Sequence, residues 1–239
     1  MGRLFLVRHA QASFLSQNYD RLSALGETQA RLLGEYWVRH NVVFDRICTG
    51  PALRHRQTAQ LVEEAYRNAE RPFPCSAVVK EFDEFAGEAV LSESLPQLRA
   101  NNARIRELHY ALQWSSDDAT KRANFQRLFE AVISMWVNRE VTPPNVESWP
   151  EFSTRVNRGI SAFLAKSRKG QTAAIFTSGG PVSVAVQRAL HLSAPDTLGI
   201  AWMARNCSFS EFLFSEDRFT LSSFNAFPHL DDESLLTYR

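Results

Sequence analysis

The sequence predicts an α/β fold: a mostly parallel central sheet sandwiched between helices, ending in a C-terminal antiparallel hairpin. Three observations carry this. Short apolar runs of strand length recur at Leu4–Val7, within "DRICT" at 45–49 and within "TAAIFTS" at 172–178. Segments with helical spacing of apolar residues follow each of them, and strands alternating with helices build a sheet covered on both faces. Two further apolar runs, Cys207–Phe214 and Phe219–Phe224, are separated by turn residues and read as the hairpin.

Leu4–Val7 has no polar alternation, so it reads as a central strand buried on both faces. A polar loop runs through Asp20. Ser23 is an N-cap for a helix to about His40, with Leu25, Leu32, Leu33, Tyr36 and Trp37 on its apolar face. After the strand at 45–49, Gly50-Pro51 opens a second helix. Proline suits the first helical position, where its missing N–H costs nothing. That helix ends before Arg71-Pro72. Val78 and Val79 suggest a third strand, which leads into "KEFDEFAGE".

From about Ser92 to Arg139 the chain reads as mostly helical, with Phe125, Leu128, Phe129, Val132, Ile133 and Trp136 at helical spacing. "TPPN" at 142–145 stops it. A helix over about 150–168 carries Phe152, Val156, Ile160, Phe163 and Leu164 on one face. The strand at 172–178 meets Gly179-Gly180-Pro181 and a helix to about Leu190. The whole chain, 1–239, is expected to be a single domain. Residues 88–145 contribute no strand and read as a helical insertion or lid within it.

Composition sets limits on function. Of 239 residues 44% are apolar and 22% charged, and the formal net charge is +1, which gives no global case for binding nucleic acid or an anionic membrane. Cys48, Cys75 and Cys207 are odd in number and far apart, as in a reduced compartment. The N-terminal apolar run is too short for a signal peptide, and no stretch reads as a membrane span. A cytoplasmic protein is expected. No His, Cys, Asp or Glu cluster has metal-ligand spacing, so neither metal nor cofactor is expected.

In open α/β sheets ligands sit at the carboxyl ends of the strands. Arg8 and His9 end the first strand; Ser178-Gly179-Gly180 ends another and opens a helix. Helix N-termini bind anions, and a guanidinium forks onto phosphate oxygens. Spacing alone favours a blander account, in which Arg8 pairs with a carboxylate and His9 is a satisfied core histidine.

A wider pattern changes that balance. "LVRHAQAS" resembles the signature of the histidine phosphatase superfamily, the phosphoglycerate-mutase-like proteins with an Arg-His-Gly motif. "LSALGETQA" (22–30), "TGPALRHRQTA" (49–59), "VVKEFDEF" (78–85), "IFTSGGPV" and "NCSFSEFLF" are similar to the family's later blocks, in the same order. The resemblance covers nearly the whole chain apart from the insertion. It implies that His9 attacks phosphorus and forms a phosphohistidine, while Arg8 and Arg54 clamp the phosphoryl oxygens with Ser178 and Gly179. It implies that Glu81 protonates the leaving alcohol, with Asp83 and Glu84 as competitors. Ser13, four residues after His9, is a candidate hydroxyl donor. His55, within "RHR", is a candidate neighbour of the phosphate pocket, with the helix surface as the favoured place. Arg99, Arg104 and Arg106 of the insertion are candidates to reach a second anionic group, with a solvated helix face favoured.

Two positions depart from the family. Ala10 stands where Gly usually follows the nucleophile; a methyl fits there if the backbone is not left-handed. Ser178 stands where a second His usually precedes Gly-Gly. A serine donates one neutral hydrogen bond and carries no charge, a loss of roughly 1–2 kcal/mol of transition-state binding. The expected function is therefore a phosphomonoester hydrolase for a small phosphorylated substrate. The alternatives are a mutase and a phosphate-binding pseudoenzyme. Oligomeric state is left open.

Overall fold

The computed structural model describes residues 1–12 and 20–238. Ser13 lies outside the described residues. The chain divides into two compact units: Met1–Glu84 with Thr154–Arg239, and Phe85–Ser153.

The first unit holds a six-stranded sheet: β1 (Gly2–Arg8), β2 (Arg46–Thr49), β3 (Ser76–Val78), β4 (Thr172–Thr177), β5 (Phe209–Phe214) and β6 (Phe219–Ala226). Its order is β3-β2-β4-β1-β5-β6. The β3–β2, β2–β4 and β4–β1 pairs are parallel, while β1–β5 and β5–β6 are antiparallel. The mostly parallel sheet and its terminal hairpin match the sequence expectation. Arg8 stands opposite Thr177 and Thr49 opposite Phe176. This register aligns the carboxyl ends of β1, β2 and β4 along one edge.

Alternation along β1 sends its side chains to two helical layers. Phe5 and Val7 join a core with Leu33 and Trp37 of α1 (Ala24–Arg39) and Val62 and Tyr66 of α2 (Leu53–Asn68). Gly34 lets these helices meet, since a Cβ there would lie 2.6 Å from that of Ala65. The other face is covered by α7 (Gly179–Leu190), which packs on β1 and β6. Arg188 of α7 donates to Ser161 of α6 (Trp149–Leu164) at 2.8 Å.

The second unit is helical: α3 (Gly87–Asn101), α4 (Ala103–Gln113) and α5 (Asp118–Val137). Leu128, Val132, Ile133 and Trp136 of α5 are buried, as their spacing predicts. Among the described residues no helix is long and apolar enough to cross a membrane.

Several boundaries differ from the sequence reading. Pro51 is not the first helical residue; α2 starts at Leu53. Its first N–H is taken by the Asp20 carboxylate at 2.8 Å, so a distant loop residue does the capping. The strand expected from Cys207 begins at Phe209, because Cys207 itself is left-handed with φ 58°. Val79 is not in β3; it precedes a 3-10 turn at Lys80–Phe82. A helix at Ala194–Met203, α8, had not been expected. Its signal was present: Ser193 caps the amide of Asp196, with Pro195 in the first turn.

Candidate active site

The site begins with the end of β1. The His9 amide donates to the Thr177 carbonyl at 2.8 Å, and its carbonyl accepts from the Cys207 amide at 3.1 Å. The residue is thus fixed between the end of β4 and the turn that precedes β5. His9 Nδ1 lies 2.7 Å from the Ala10 carbonyl, which only accepts, so Nδ1 carries the hydrogen. Nε2 then holds the lone pair, and it accepts from Nε of Arg54 at 3.2 Å. Burial above all, then Arg54, Arg8 and His55, holds the His9 pKa well below the ordinary imidazole value. The ring is neutral at pH 7. Ala10 is buried and has no left-handed backbone, so the methyl that replaces the family's glycine hydrogen is accommodated.

Arg54 stands in the first turn of α2. Its Nη1 pairs with Asp20 Oδ1 at 2.8 Å. Asp20 therefore has two tasks, capping α2 and orienting the arginine. Sequence reasoning missed it, because a lone aspartate in a polar loop carries no spacing signal. On β1, Arg8 donates from Nη1 to the Ala204 carbonyl. Gly179 lies against Arg8: a Cβ there would sit 3.8 Å from Nε.

The largest surprise is His55. Expected on the helix surface, it is fully buried, and its Nε2 lies 2.6 Å from Ser178 Oγ. Its ring centroid is 5.7 Å from that of His9. The reason is the register of α2. Gly50 leaves no room for a Cβ against His55 Nδ1, so the ring fills the space beside the strand end. Burial first, and then Arg54, holds its pKa well below the ordinary value.

Ser178 occupies the N-cap position of α7 with extended backbone, yet its side chain caps no amide. The Gly180 amide instead donates to Glu84 Oε2 at 3.0 Å. Glu84 thus stands at the helix end that the sequence assigns to phosphate. Glu81 has a different partner: its carboxylate meets Arg158 Nη2 at 3.4 Å. Arg155 Nη1 donates to the carbonyls of Lys80, Glu81 and Asp83 at 3.3, 2.9 and 3.1 Å. One guanidinium thus ties this acidic segment to α6.

The structure therefore gathers Arg8, His9, Arg54, Ser178 and Gly179, and adds Asp20, His55 and Glu84. Among the described residues no group of three His, Cys, Asp or Glu side chains is arranged to hold a metal ion.

A family model described as the histidine phosphatase superfamily (branch 1) matches residues 4–83 and 91–226. No curated protein matches the sequence. Among solved structures, the fold is similar to that of a phosphoserine phosphatase H9A mutant from Entamoeba histolytica in complex with phosphoserine. That match has a TM-score of 0.65 and 15% identity, over 96% of this chain and 100% of the other. The alpha-ribazole phosphatase from Shigella flexneri has a TM-score of 0.61 and 20% identity, over 94% and 96%. A phosphoglycerate mutase from Bacillus anthracis has a TM-score of 0.61 and 16% identity, over 95% and 94%.

Proposed function

Because the chain belongs to the histidine phosphatase superfamily, we propose that it is a phosphomonoester hydrolase acting through a phosphohistidine at His9 on a small phosphorylated metabolite. The observation that carries the reading is the state of the His9 ring. It is neutral, with Nδ1–H committed to the Ala10 carbonyl and the Nε2 lone pair turned to Arg54. A neutral imidazole fixed in one tautomer is a nucleophile poised for phosphorus.

In the resting site Arg54 Nε–H occupies that lone pair. An incoming phosphoryl group offers the guanidinium a charged acceptor, and charge-assisted bonds are the stronger ones. Arg54 moves to the phosphoryl oxygens and frees Nε2. Nε2 attacks phosphorus and the ester P–O bond breaks. The positive charge that develops on the ring is met by the Ala10 carbonyl at Nδ1–H. Arg8 and Arg54 offset the charge on the phosphoryl oxygens.

The leaving alkoxide takes a proton from a carboxylic acid of the 81–84 segment. We assign Glu81 by motif position, with Glu84 as its competitor by its place on the Gly180 amide. Water then attacks phosphorus and gives its proton to the same carboxylate. The P–N bond breaks, and inorganic phosphate leaves a neutral His9.

The three cysteines form no disulfide, which supports a cytoplasmic setting. Residues 88–145 are the candidate lid. Ser178 favours one other reading, a phosphate-binding module without turnover. Rapid quench with a labelled substrate separates them: the hydrolase traps an acid-labile, base-stable phosphoenzyme, and His9→Ala abolishes both trapping and turnover. Wild-type turnover in His9→Ala refutes the assignment. Isomerised product in place of inorganic phosphate would make the enzyme a mutase.

A further inference from the structure

The His55–Ser178 pair is unexplained by the steps above. As an N-cap, Ser178 would ordinarily bond an amide of α7, a contact that contributes to helix stability. It forgoes that contact and turns to His55. A buried imidazole and hydroxyl also have a desolvation cost, and an apolar pair of similar shape would stabilise the core as well or better. The arrangement is not what packing alone selects. The pair also stands next to the nucleophile, with the His55 ring 5.7 Å from that of His9 and Gly179 against Arg8.

We propose that His55 and Ser178 form a proton relay, in which His55 acts through the Ser178 hydroxyl on the phosphoryl group held by Arg8, His9 and Arg54. This rests on the hydrolase reading above. Ser178 is the residue that touches the phosphoryl oxygen, and His55 is a positioning residue behind it. In the empty site the Ser178 O–H donates to His55 Nε2, and burial keeps the imidazole neutral. A phosphomonoester monoanion brings its own acidic proton. That proton passes from the P–O–H group to Ser178 Oγ as the Ser178 proton passes to His55 Nε2. The O–H and N–H bonds formed replace the two O–H bonds broken. The products are a phosphoryl dianion and an imidazolium whose Nε2–H now donates to Ser178, while the hydroxyl donates to the phosphoryl oxygen. The lone neutral donor becomes one end of a charge-assisted chain. The imidazole absent from position 178 is thus supplied from α2.

The test is a mutant cycle on the full chain, with kcat and KM on an aryl phosphate, vanadate affinity by calorimetry, and melting temperature. Ser178→Ala and His55→Ala should each lower kcat/KM about tenfold, mainly through kcat. The double variant should be no worse than either single one, because each breaks the same chain. His55→Gln keeps volume and a donor but no charge, and should fall with His55→Ala while keeping the wild-type melting temperature. Ser178→His in the His55→Ala background should recover at least threefold.

Multiplicative losses in the double variant overturn the relay, as does His55→Gln within twofold of wild type. Failure of the hydrolase reading is visible separately. If wild type turns over no phosphomonoester, vanadate affinity reports the relay, and it should drop equally in the singles and the double. Absence of vanadate binding by wild type overturns both.

Discussion

Asp20→Ala tests the site through a residue that only the structure reveals. Two contacts go at once. The cap on the Leu53 amide at 2.8 Å is lost, and such caps contribute about 1 kcal/mol. The ion pair to Arg54 Nη1 at 2.8 Å is lost too. The Asp20 side chain is 42% exposed, so solvent screening limits that pair to about 0.5 kcal/mol. The sum is about 1.5 kcal/mol. For a chain of this size each kcal/mol moves the melting point by about 2–4 °C, so a drop of about 3–6 °C is expected. Arg54 also loses its anchor and the phosphoryl clamp loosens, with kcat/KM falling about tenfold or less. Asp20→Asn separates the two parts. Its amide oxygen still accepts from Leu53, so most of the stability should return, while the charge that orients Arg54 is gone. Melting by calorimetry and initial rates on an aryl phosphate read both. If Asp20→Ala melts within about 1 °C of wild type, the capping argument is wrong. If Asp20→Asn keeps full activity, the carboxylate does not orient Arg54.

Two further outcomes follow from named contacts. Glu81→Gln should slow alkyl phosphates far more than an activated aryl phosphate, whose leaving group needs no proton. If Glu84→Gln shows that selectivity and Glu81→Gln does not, the acid is the carboxylate on the Gly180 amide. Acid should destabilise the fold through its buried histidines. Burial lowers the pKa of His9 and His55 well below the ordinary value and that of His229 to about 4. Unfolding frees each to protonate near its ordinary value of about 6.5, so the unfolded state binds more protons below that pH. Stability is therefore fully present above about pH 7 and falls by up to about 1.4 kcal/mol per pH unit for each histidine. For His229 the loss runs from there down to about pH 4. Denaturant melts at pH 5 and 7 should show a smaller difference in His229→Gln than in wild type; an equal difference would remove His229 from the account.

The sheet was legible because its strands are short apolar runs with a helix between most of them, a pattern that forces burial on both faces. The β1 and β4 positions followed from that pattern. Arg8, His9 and Ser178 stood at strand ends but were marked as site residues only by the resemblance to the histidine phosphatase superfamily, since spacing alone favoured a blander account. What the sequence left hidden were residues whose role depends on chain segments far apart. Asp20 works on α2 from a loop 33 residues away. Glu84 reaches the amide of Gly180 across 96 residues. Helix α8 was missed for a different reason: its Ser-Ala-Pro-Asp start is a local signal, but the few apolar residues after it gave no clear stripe.

His55 shows why a position-by-position comparison misjudges a site of this kind. Read alone, Ser178 is a missing cation and His55 is one more polar residue in a polar run. Each reading is reasonable for its own position. The fold places the two side chains 2.6 Å apart although 123 residues separate them. A phosphoryl group responds to where charge and hydrogen sit, not to which strand or helix delivers them. An imidazole can therefore leave one element and enter from another while the field at the reacting atom is retained. The geometric condition is severe. The entering ring needs room, and His55 is fully buried against the small side chain of Ser178. It also needs a neighbour without a side chain, and Gly50 meets that need, since any Cβ there would strike His55 Nδ1. A Cβ at Gly50 would also strike the Phe82 carbonyl, so Gly50→Ala should displace the ring from Ser178 and press on the 81–84 segment, lowering both kcat and the melting temperature. If Gly50→Ala folds normally and leaves kcat unchanged, the position of the imidazole does not matter to turnover.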